Sequence, residues 1–472
     1  MTILTLMLGM LALYSFAQSP YTHDRVYTAD QISNTVSVID PSQNKLLGQI
    51  TLGNPITDVL SPLYKGETLV HGLRYSPDLK ILAVVAIGSN SISFISTETS
   101  KLLKTLYIGR SPHEPTFTPD HKQVWVTVRG EAYISVIDVQ SMSEIKQIPV
   151  ADGPGMVAFS PDGTRAYVCS SFTSEVDVIN TKTYQLIKKI PVISPFSPNI
   201  FTSPDGKWVA LTHKDVGKVS IINTENLTTS KVISTGAITN HVTFTTVNGR
   251  LKMLVSIGGE NKVLAFDVAD NFNLTDSINV GALPHGLWPS TDGNFLYVGL
   301  EFADQVQVIN LHTMKVVATI PVGQSPQALV YAQNAVSETG KSGNEWSLKD
   351  MNSTQVITLR TTGLLQNASG RISVRQIGLT DLVEQAFYAL EPNSDYLLVL
   401  SKATSPPYAV DYQLNEFRTD SNGKYSGQST GLIKSGDSEE TQPYQHILIL
   451  DAKTRNPVLI DNLQTSLLDD VL

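Results

Sequence analysis

Cysteine is almost missing from this chain of 472 residues, in which Cys169 stands alone. A single cysteine excludes an intrachain disulfide, a C-x-x-C metal or redox pair and a C-x-x-C-H haem attachment. The segment AYVCSS around Cys169 is apolar, so we expect the thiol to be a small buried group. Packing and hydrogen bonds must therefore hold the fold together without disulfides.

Runs of like charge are missing as well. The net charge of −9 is spread along the chain, and no basic stripe offsets it. Nucleic-acid binding depends on clustered lysine and arginine, so this distribution argues against nucleic acid as a partner. The catalytic signatures G-x-S-x-G and H-E-x-x-H, the Walker loop and the EF-hand loop are also absent from the sequence.

Long apolar runs are rare too, the main one lying at residues 3–16. It is short for a membrane span, and it ends in Ser15-Phe16-Ala17, a small-x-small cleavage pattern. We therefore predict a signal peptide at residues 1–17, no transmembrane span after its cleavage, and a secreted, periplasmic or cell-surface location.

A short alternating pattern is present in seven copies within the first 330 residues. From the second copy onward, the copies end 42, 42, 43, 44 and 43 residues apart. A period near 42 with alternation inside each unit is typical of the blades of a β-propeller. The copies are SNTVSVID (33–40), NSISFIS (90–96), YISVID (133–138), EVDVIN (175–180), KVSIIN (218–223), KVLAFD (262–267) and QVQVIN (305–310).

The two ends of the repeat region predict how the ring closes. The chain begins with the outer three strands of a blade at residues 25–52, whereas the last repeat supplies only an inner strand at 328–332. One blade must then be shared between the two ends, which gives seven blades and leaves no free sheet edge at the closure. The propeller is predicted to occupy residues 18–333.

Residues 25–333 resemble the YVTN family of β-propeller repeat proteins. The consensus of that family runs roughly as a Tyr-Val pair, an Asn-Thr-Val-Ser-Val-Ile-Asp stretch, a Val-Gly ending and a Ser-Pro-Asp-Gly turn. The matching pieces lie at 27–40, 167–180, 204–206, 297–310 and 320–323. The resemblance implies a propeller fold. It does not imply one function, because the family includes surface-layer proteins, periplasmic proteins and relatives of several propeller enzymes.

Four of the nine histidines occupy one position of the repeat, six residues before the proline position of the inner turn. In a propeller this position rings one mouth of the central channel. Loops between second and third strands reach the same face, which brings Arg129, Lys214 and Glu301 to the rim. In blade order the seven residues are His71, His113, Gly155, Pro198, His241, His285 and Gln327.

Three interpretations of this mouth stay open. The histidines could bond to the backbone of neighbouring blades and line a water-filled channel. Converging imidazoles are also the ligands of zinc, copper, iron and nickel, which predicts His71, His113, His241 and His285 as metal ligands. In the third interpretation, Gln327, Arg129, Lys214 and Glu301 are predicted to bind a small anion or sugar.

The histidine positions resemble in part the seven-bladed propeller of nitrous oxide reductases, in which histidines hold a copper cluster at the channel mouth. This sequence departs from that pattern in having fewer histidines. It also lacks a downstream cupredoxin module, since no cysteine follows Cys169. We therefore do not carry that activity over.

The first interval between repeats is 56 residues, about 14 longer than the others, and the excess lies at residues 54–69. This connection leads directly to His71. Long loops beside pockets often gate or read a ligand, so we predict either such a gate or a decorative insertion.

Beyond residue 333 the composition changes. Residues 334–350 are polar and contain Gly and Ser, which predicts a linker, and 351–472 contain short alternating strands. Leu390, Pro392 and Tyr396 are spaced as in the tyrosine corner of immunoglobulin-like and fibronectin-like sandwiches. A competing helical interpretation follows from the 3.6-residue period of apolar residues at 379–390.

The sequence thus predicts an all-β protein, a seven-bladed propeller followed by a small β-sandwich of immunoglobulin or fibronectin type. The leading function is non-enzymatic binding or scaffolding, with a small molecule or protein at the channel mouth. A copper-type oxidoreductase using the four histidines is the alternative, and a propeller lactonase or lyase is the third. One divalent or copper ion is the only cofactor that the pattern suggests.

Overall fold

A computed structural model of the protein describes residues 21–52, 68–337, 355–376, 381–431 and 444–461. The predicted signal peptide lies outside the described residues, as does the predicted connection at 54–69 apart from its last two residues. Among the described residues, no helix is both long and apolar enough to cross a membrane.

The first 28 strands of the described chain form seven four-stranded antiparallel sheets. In chain order they are β1 (Arg25–Asp30), β2 (Thr35–Asp40), β3 (Lys45–Thr51), β4 (Val70–Ser76), β5 (Ile81–Ala86), β6 (Ser91–Ser96), β7 (Lys101–Tyr107), β8 (Pro112–Phe117), β9 (Gln123–Val128), β10 (Tyr133–Asp138), β11 (Ser143–Pro149), β12 (Pro154–Phe159), β13 (Arg165–Ser170) and β14 (Glu175–Asn180). They continue as β15 (Leu186–Pro191), β16 (Ile200–Thr202), β17 (Trp208–His213), β18 (Lys218–Asn223), β19 (Thr228–Ser234), β20 (Thr239–Val247), β21 (Arg250–Ile257), β22 (Lys262–Asp267), β23 (Asn273–Asn279), β24 (Pro284–Pro289), β25 (Phe295–Leu300), β26 (Gln305–Asn310), β27 (Lys315–Pro321) and β28 (Pro326–Ala332).

Blade 1 closes the ring as the repeat count predicts. Its strand order is β28-β1-β2-β3, so the last propeller strand is the innermost strand of the first blade. β28 and β1 run antiparallel, with Leu329 opposite Thr28 and Ala332 opposite Arg25. Blades 2 to 7 each use four consecutive strands, from β4 to β27. The closure pairs the two ends of the propeller and leaves neither as a free edge.

The blades are held together by apolar layers between neighbouring sheets. The second and third strands are buried along nearly their whole length, as in β5 and β6, because another blade packs against each of their faces. Outer strands such as β11 face solvent and are mostly exposed. Cys169 lies in the layer between blades 4 and 5, fully buried, where burial raises the pKa of its thiol to about 12.

The first residues of the predicted linker pack on the propeller. Ala335 and Val336 are buried, and the Ser337 backbone N–H donates to the Glu98 carboxylate at 2.8 Å. These residues pass close to the outer end of blade 2.

The C-terminal region forms one eight-stranded antiparallel sheet in the order β33-β32-β35-β36-β29-β30-β31-β34. Its first and last strands contact each other, so the sheet curls into a barrel-like shape around one apolar core, compatible with the predicted small sandwich. The strands are β29 (Gln355–Thr361), β30 (Ser369–Gln376), β31 (Asp381–Tyr388), β32 (Asp395–Ser401), β33 (Tyr412–Arg418), β34 (Tyr425–Gly431), β35 (His446–Asp451) and β36 (Pro457–Asp461).

The tyrosine corner is confirmed. The Glu391 backbone N–H donates to the Tyr396 hydroxyl at 3.0 Å, and the Tyr396 ring is buried against Phe417. The helical interpretation of residues 379–390 is wrong, because β31 pairs along its length with β30 on one side and with β34 on the other. Pairing on both sides requires an extended backbone whatever the apolar spacing.

Candidate ligand site at the mouth of the propeller

Each of the four repeat histidines lies near the start of an innermost strand, inside a β-bulge. Val70 pairs with Ala86 and Leu73 with Val84, so two residues, His71 and Gly72, lie opposite a single residue of the second strand. The same irregularity occurs at His113, His241 and His285. Bulges bend a strand and change the direction of its side chains, which accounts for polar rings at a position flanked by packed strands.

Glycine follows two of these histidines for a steric reason. A Cβ atom on Gly72 would lie 2.4 Å from the His113 carbonyl oxygen, and one on Gly286 would lie 2.8 Å from the Gln327 carbonyl oxygen. Neighbouring blades therefore approach each other backbone to backbone at the mouth, and only glycine permits the contact.

The four histidines form two contacting pairs, each between adjacent blades. The ring centroids of His71 and His113 are 4.4 Å apart, and those of His241 and His285 are 4.8 Å apart. All four side chains are at least nine-tenths buried. We call these four residues the histidine arc.

Two rings of the arc bond to the backbone of the next blade. His113 Nδ1 lies 2.8 Å from the Gly155 carbonyl oxygen, and His285 Nδ1 lies 2.5 Å from that of Gln327. A carbonyl oxygen only accepts, so both Nδ1 atoms carry the proton, and Nε2 of the neutral ring is left as an acceptor. These are the contacts expected of histidines that line the channel. His71 differs from these two rings, because its buried Nδ1 has no hydrogen-bond partner among the described residues.

Burial lowers the pKa of every imidazole in the arc. The pKa of His285 falls to about 3, first because the ring is buried and second because the positive charge of Lys214 is nearby. The pKa of His71 is lowered by burial and then by His285, Arg129 and Lys214. The arc is therefore uncharged at neutral pH.

Arg129 and Lys214 lie at the mouth, as the repeat geometry predicts. Each directly follows the second strand of its blade, β9 for Arg129 and β17 for Lys214. The Arg129 guanidinium lies over the rings of Phe172, at 5.8 Å, and Phe196, at 5.6 Å. Burial lowers the pKa of Lys214, while Glu301 acts in the opposite direction.

Gln327 and His213 are both engaged in the fold. The Gln327 side-chain amide donates to Ser325 Oγ at 2.9 Å, and the Gln327 backbone carbonyl oxygen accepts from His285. His213 is fully buried, with both ring nitrogens 2.7 Å from hydroxyls, those of Ser197 and Ser220. Burial lowers the pKa of His213 to about 4, so the ring is neutral and links Ser197 to Ser220 inside blade 5.

The sequence analysis missed an ion pair between innermost strands. Arg74 on β4 and Glu114 on β8 are both buried, with Arg74 Nη1 3.3 Å from Glu114 Oε2. The guanidinium also lies over Trp288 of blade 7, at 4.8 Å, and over Phe201 of blade 5, at 5.6 Å. These contacts span the ring, so Arg74 fills the channel. Burial raises the pKa of Glu114 to about 7 although Arg74 opposes the shift.

The C-terminal domain packs against the propeller at blade 7. Arg375 on β30 is buried, and its Nη1 donates to Asp304 Oδ1 at 2.7 Å. Its Nη2 donates to the Glu301 carbonyl oxygen, and its Nε lies 3.4 Å from Glu384 Oε2. Burial raises the pKa of Glu384. Arg375 thus joins the two domains beside the predicted rim residue Glu301.

A cavity of about 1240 Å³ lies between the propeller and the C-terminal domain. Lys214, Glu301 and Phe196 line it from the propeller, and Glu384 and Tyr388 from the C-terminal domain. A smaller cavity of about 510 Å³ lies on the outer strands of blades 5 and 6, away from the mouth. The larger cavity is therefore the one that contains predicted site residues.

The arrangement does not fit a metal centre with three or more protein ligands. Throughout the part of the chain that the structure describes, no group of three or more His, Cys, Asp or Glu side chains is positioned to hold a metal ion. The histidine arc consists of two separate ring pairs.

Comparison with known proteins supports the fold. The model of the YNCE-like beta-propeller family matches residues 195–336, while no curated protein matches the chain by sequence. Hydrazine synthase of Kuenenia stuttgartiensis is 20% identical, with a TM-score of 0.52 over 58% of this chain and 91% of that one. A functionally unknown protein from Desulfotomaculum acetoxidans is 15% identical, with a TM-score of 0.56 over 66% and 99%.

Dihydro-heme d1 dehydrogenase NirN overlaps 87% of this chain and 76% of its own, at 11% identity and a TM-score of 0.48. At their low identities, hydrazine synthase and the Desulfotomaculum acetoxidans protein show the fold alone. The repeats, the closed ring of seven blades and the match to the YNCE-like model together show that this chain carries a distant YVTN-type β-propeller.

Proposed function

We propose that this chain is an exported, non-enzymatic binding protein that holds a small molecule at the mouth of its propeller, beneath the C-terminal domain. The observation that carries the proposal is the cavity of about 1240 Å³ bounded by both domains. Lys214 and Glu301, two residues predicted from the repeat to bind a ligand, line it. Sites for small molecules are commonly clefts between domains, with volumes of roughly 300–1,000 Å³.

The chemistry around the cavity favours binding over catalysis. The imidazoles of the histidine arc are neutral and buried, and two of them are tied to backbone. Ser197 and His213 contact each other, but both are fully buried, so no substrate could reach the hydroxyl. A lactonase or lyase that uses a divalent ion would need a cluster of ligands, which the described residues do not provide.

A cavity-filling variant tests this proposal. We expect Ala237→Trp, at a position lining the cavity, to abolish the rise in melting temperature that a bound molecule causes in the wild type. The probes are organic acids, sugars, amino acids and nucleotides, screened one by one by differential scanning fluorimetry. Lys182→Trp, at an exposed turn on the opposite face, is the control. The proposal fails if no probe shifts the wild type, or if every shift persists in Ala237→Trp.

The copper-type oxidoreductase remains the second candidate, since Nδ1-bonded histidines with a free Nε2 are oriented as metal-bound histidines often are. Elemental analysis of the untagged protein decides between a copper-type oxidoreductase and the proposed binding protein. One equivalent of copper that disappears in the His71→Ala/His285→Ala variant would replace the binding proposal. A metal content near zero in both proteins would remove the second candidate.

A further inference from the structure

We infer that the molecule bound at the mouth presents an oxyanion, a carboxylate or phosphate group, to Lys214 and Arg129. This inference rests on the proposed function and specifies its ligand. It depends on three features of the mouth: two cations that both lie beside Phe196, the lack of an ion pair for either cation among the described residues, and the neutral imidazoles that their charges influence.

Arg129 and Lys214 come from blades 3 and 5 but meet at Phe196. The Lys214 backbone N–H donates to the Phe196 carbonyl oxygen at 3.2 Å, and the Arg129 guanidinium lies over the Phe196 ring at 5.6 Å. In keeping with this geometry, the charge of each cation lowers the pKa of His71, and the charge of Arg129 also lowers the pKa of Lys214. Phe196 links them further, since it lies against the Arg129 guanidinium and also lines the cavity with Lys214.

Neither cation has a counter-ion among the described residues. Two other buried cations near the mouth are paired, Arg74 with Glu114 and Arg375 with Asp304 and Glu384. Glu301 favours the charged form of Lys214 but forms no ion pair with it in the described part of the structure. A partly buried cation without a counter-ion is costly, and an anionic ligand would remove that cost.

Aromatic rings hold Arg129 in place. Ligand binding therefore costs less side-chain entropy than it would with a freely moving arginine. The guanidinium lies between 5 and 6 Å from the centres of two rings, Phe172 and Phe196. Such contacts favour the cation without neutralising it. A planar guanidinium and a flexible ammonium group are the usual pair for binding carboxylate or phosphate oxygens.

The imidazoles that these two cations influence are polar but uncharged. His71, whose pKa both cations lower, is 7% exposed, and its Nδ1 has no partner among the described residues. Neutral imidazoles do not repel an anion as carboxylates would. They also do not neutralise the two cations.

Isothermal titration with succinate, citrate and inorganic phosphate tests the inference, with dimethyl succinate as the uncharged analogue. We expect at least one anion to bind in 50 mM salt, the diester not to bind, and binding to weaken in 200 mM salt. Lys214→Gln and Arg129→Gln should each reduce affinity by about tenfold or more. Binding of succinate or citrate alone indicates a carboxylate ligand, and binding of phosphate alone indicates a phosphorylated one.

Two further variants complete the test. Lys182→Gln, an exposed cation on the opposite face, should leave affinity unchanged, whereas Glu301→Gln should raise it because it removes negative charge near Lys214. The inference is overturned if Glu301→Gln weakens binding as much as Lys214→Gln, or if the diester binds as well as succinate. If only uncharged molecules of the earlier screen bind, the inference fails while the proposed function stands. If no molecule binds, both fail.

Discussion

The titratable residues at the mouth differ in how their charge is managed. Imidazoles in the histidine arc are kept neutral by burial, whereas Arg74 stays beside Glu114 between Trp288 and Phe201. Removing one partner of such a buried ion pair typically costs about 3–5 kcal/mol, so Arg74 and Glu114 are best regarded as structural. Arg129 and Lys214 have no such partner in the described residues, and that difference separates binding candidates from structural ones.

The low pKa of His285 makes stability depend on pH. An unfolded histidine takes up a proton near pH 6.5, whereas the folded His285 does so only near pH 3. The unfolded state therefore gains protons first as the pH falls, and stability is lost between these values. From pH 7 to pH 5, this one residue should cost about 2 kcal/mol.

We therefore predict that His285→Asn loses less stability on acidification than the wild type. Asparagine retains a donor for the Gln327 carbonyl but does not titrate. Urea unfolding at pH 7 and pH 5 measures the effect, and the gap between the two proteins should shift by about 2 kcal/mol in favour of the variant. The variant must be compared with the wild type at each pH, because the raised pKa values of Asp30 and Glu114 increase the stability of both proteins as the pH falls. Parallel pH curves would contradict the prediction.

Single residues show where sequence analysis reaches its limit. Histidines at one repeat position could be predicted because the period of about 42 fixes equivalent places in successive blades. Arg74 and Glu114 lie on the same innermost strands, three and one residues after a repeat histidine, but each occurs in a single blade. A residue that does not repeat gives no periodic signal, so their pairing required the structure.

At the scale of elements, bulges and strand pairing determine the site. The bulge at each histidine and the close approach at Gly72 and Gly286 bring the rings of adjacent blades together. Ring closure through β28 and β1 was predictable from the incomplete repeats at the two ends. The strand at β31 was ambiguous, because its apolar spacing also fits a helix and one of its two partners, β34, is distant in sequence.

The tyrosine corner yields a prediction for the C-terminal domain. Tyr396→Phe keeps the buried ring but removes the acceptor of the Glu391 backbone N–H, which should destabilise the domain by about 1 kcal/mol. Hydrogen exchange of the β32 amides should accelerate accordingly while the propeller strands are unaffected. Tyr408→Phe is the matched control, as its hydroxyl forms no hydrogen bond within the described residues. Equal exchange in both variants would argue against a role for the corner.

At the scale of the whole molecule, the two domains enclose what neither encloses alone. Glu384 and Tyr388 of the C-terminal domain complete a cavity whose other wall contains Lys214 and Glu301. Lys424 adds a second link, 3.8 Å from Glu260 of blade 6. None of this could be predicted from the sequence, since composition predicts two domains but contains no signal for which surface of one meets which surface of the other.

The last prediction concerns the contact that joins the domains. Arg375→Met should release the C-terminal domain from the mouth, because it removes the bonds to Asp304 and to the Glu301 carbonyl while leaving Glu384 buried without its cation. Loss of one partner from a buried ion pair costs about 3–5 kcal/mol, more than a small interdomain surface readily replaces.

Small-angle scattering and calorimetry measure that release. The variant should have a larger radius of gyration than the wild type, and its thermal unfolding should split into two transitions as the domains unfold separately. Arg360→Met, at an exposed position of the same domain, should change neither property. If Arg375→Met scatters and melts like the wild type, the domains are held by other contacts. Because the cavity needs both walls, a variant that opens should also lose the ligand-induced rise in melting temperature.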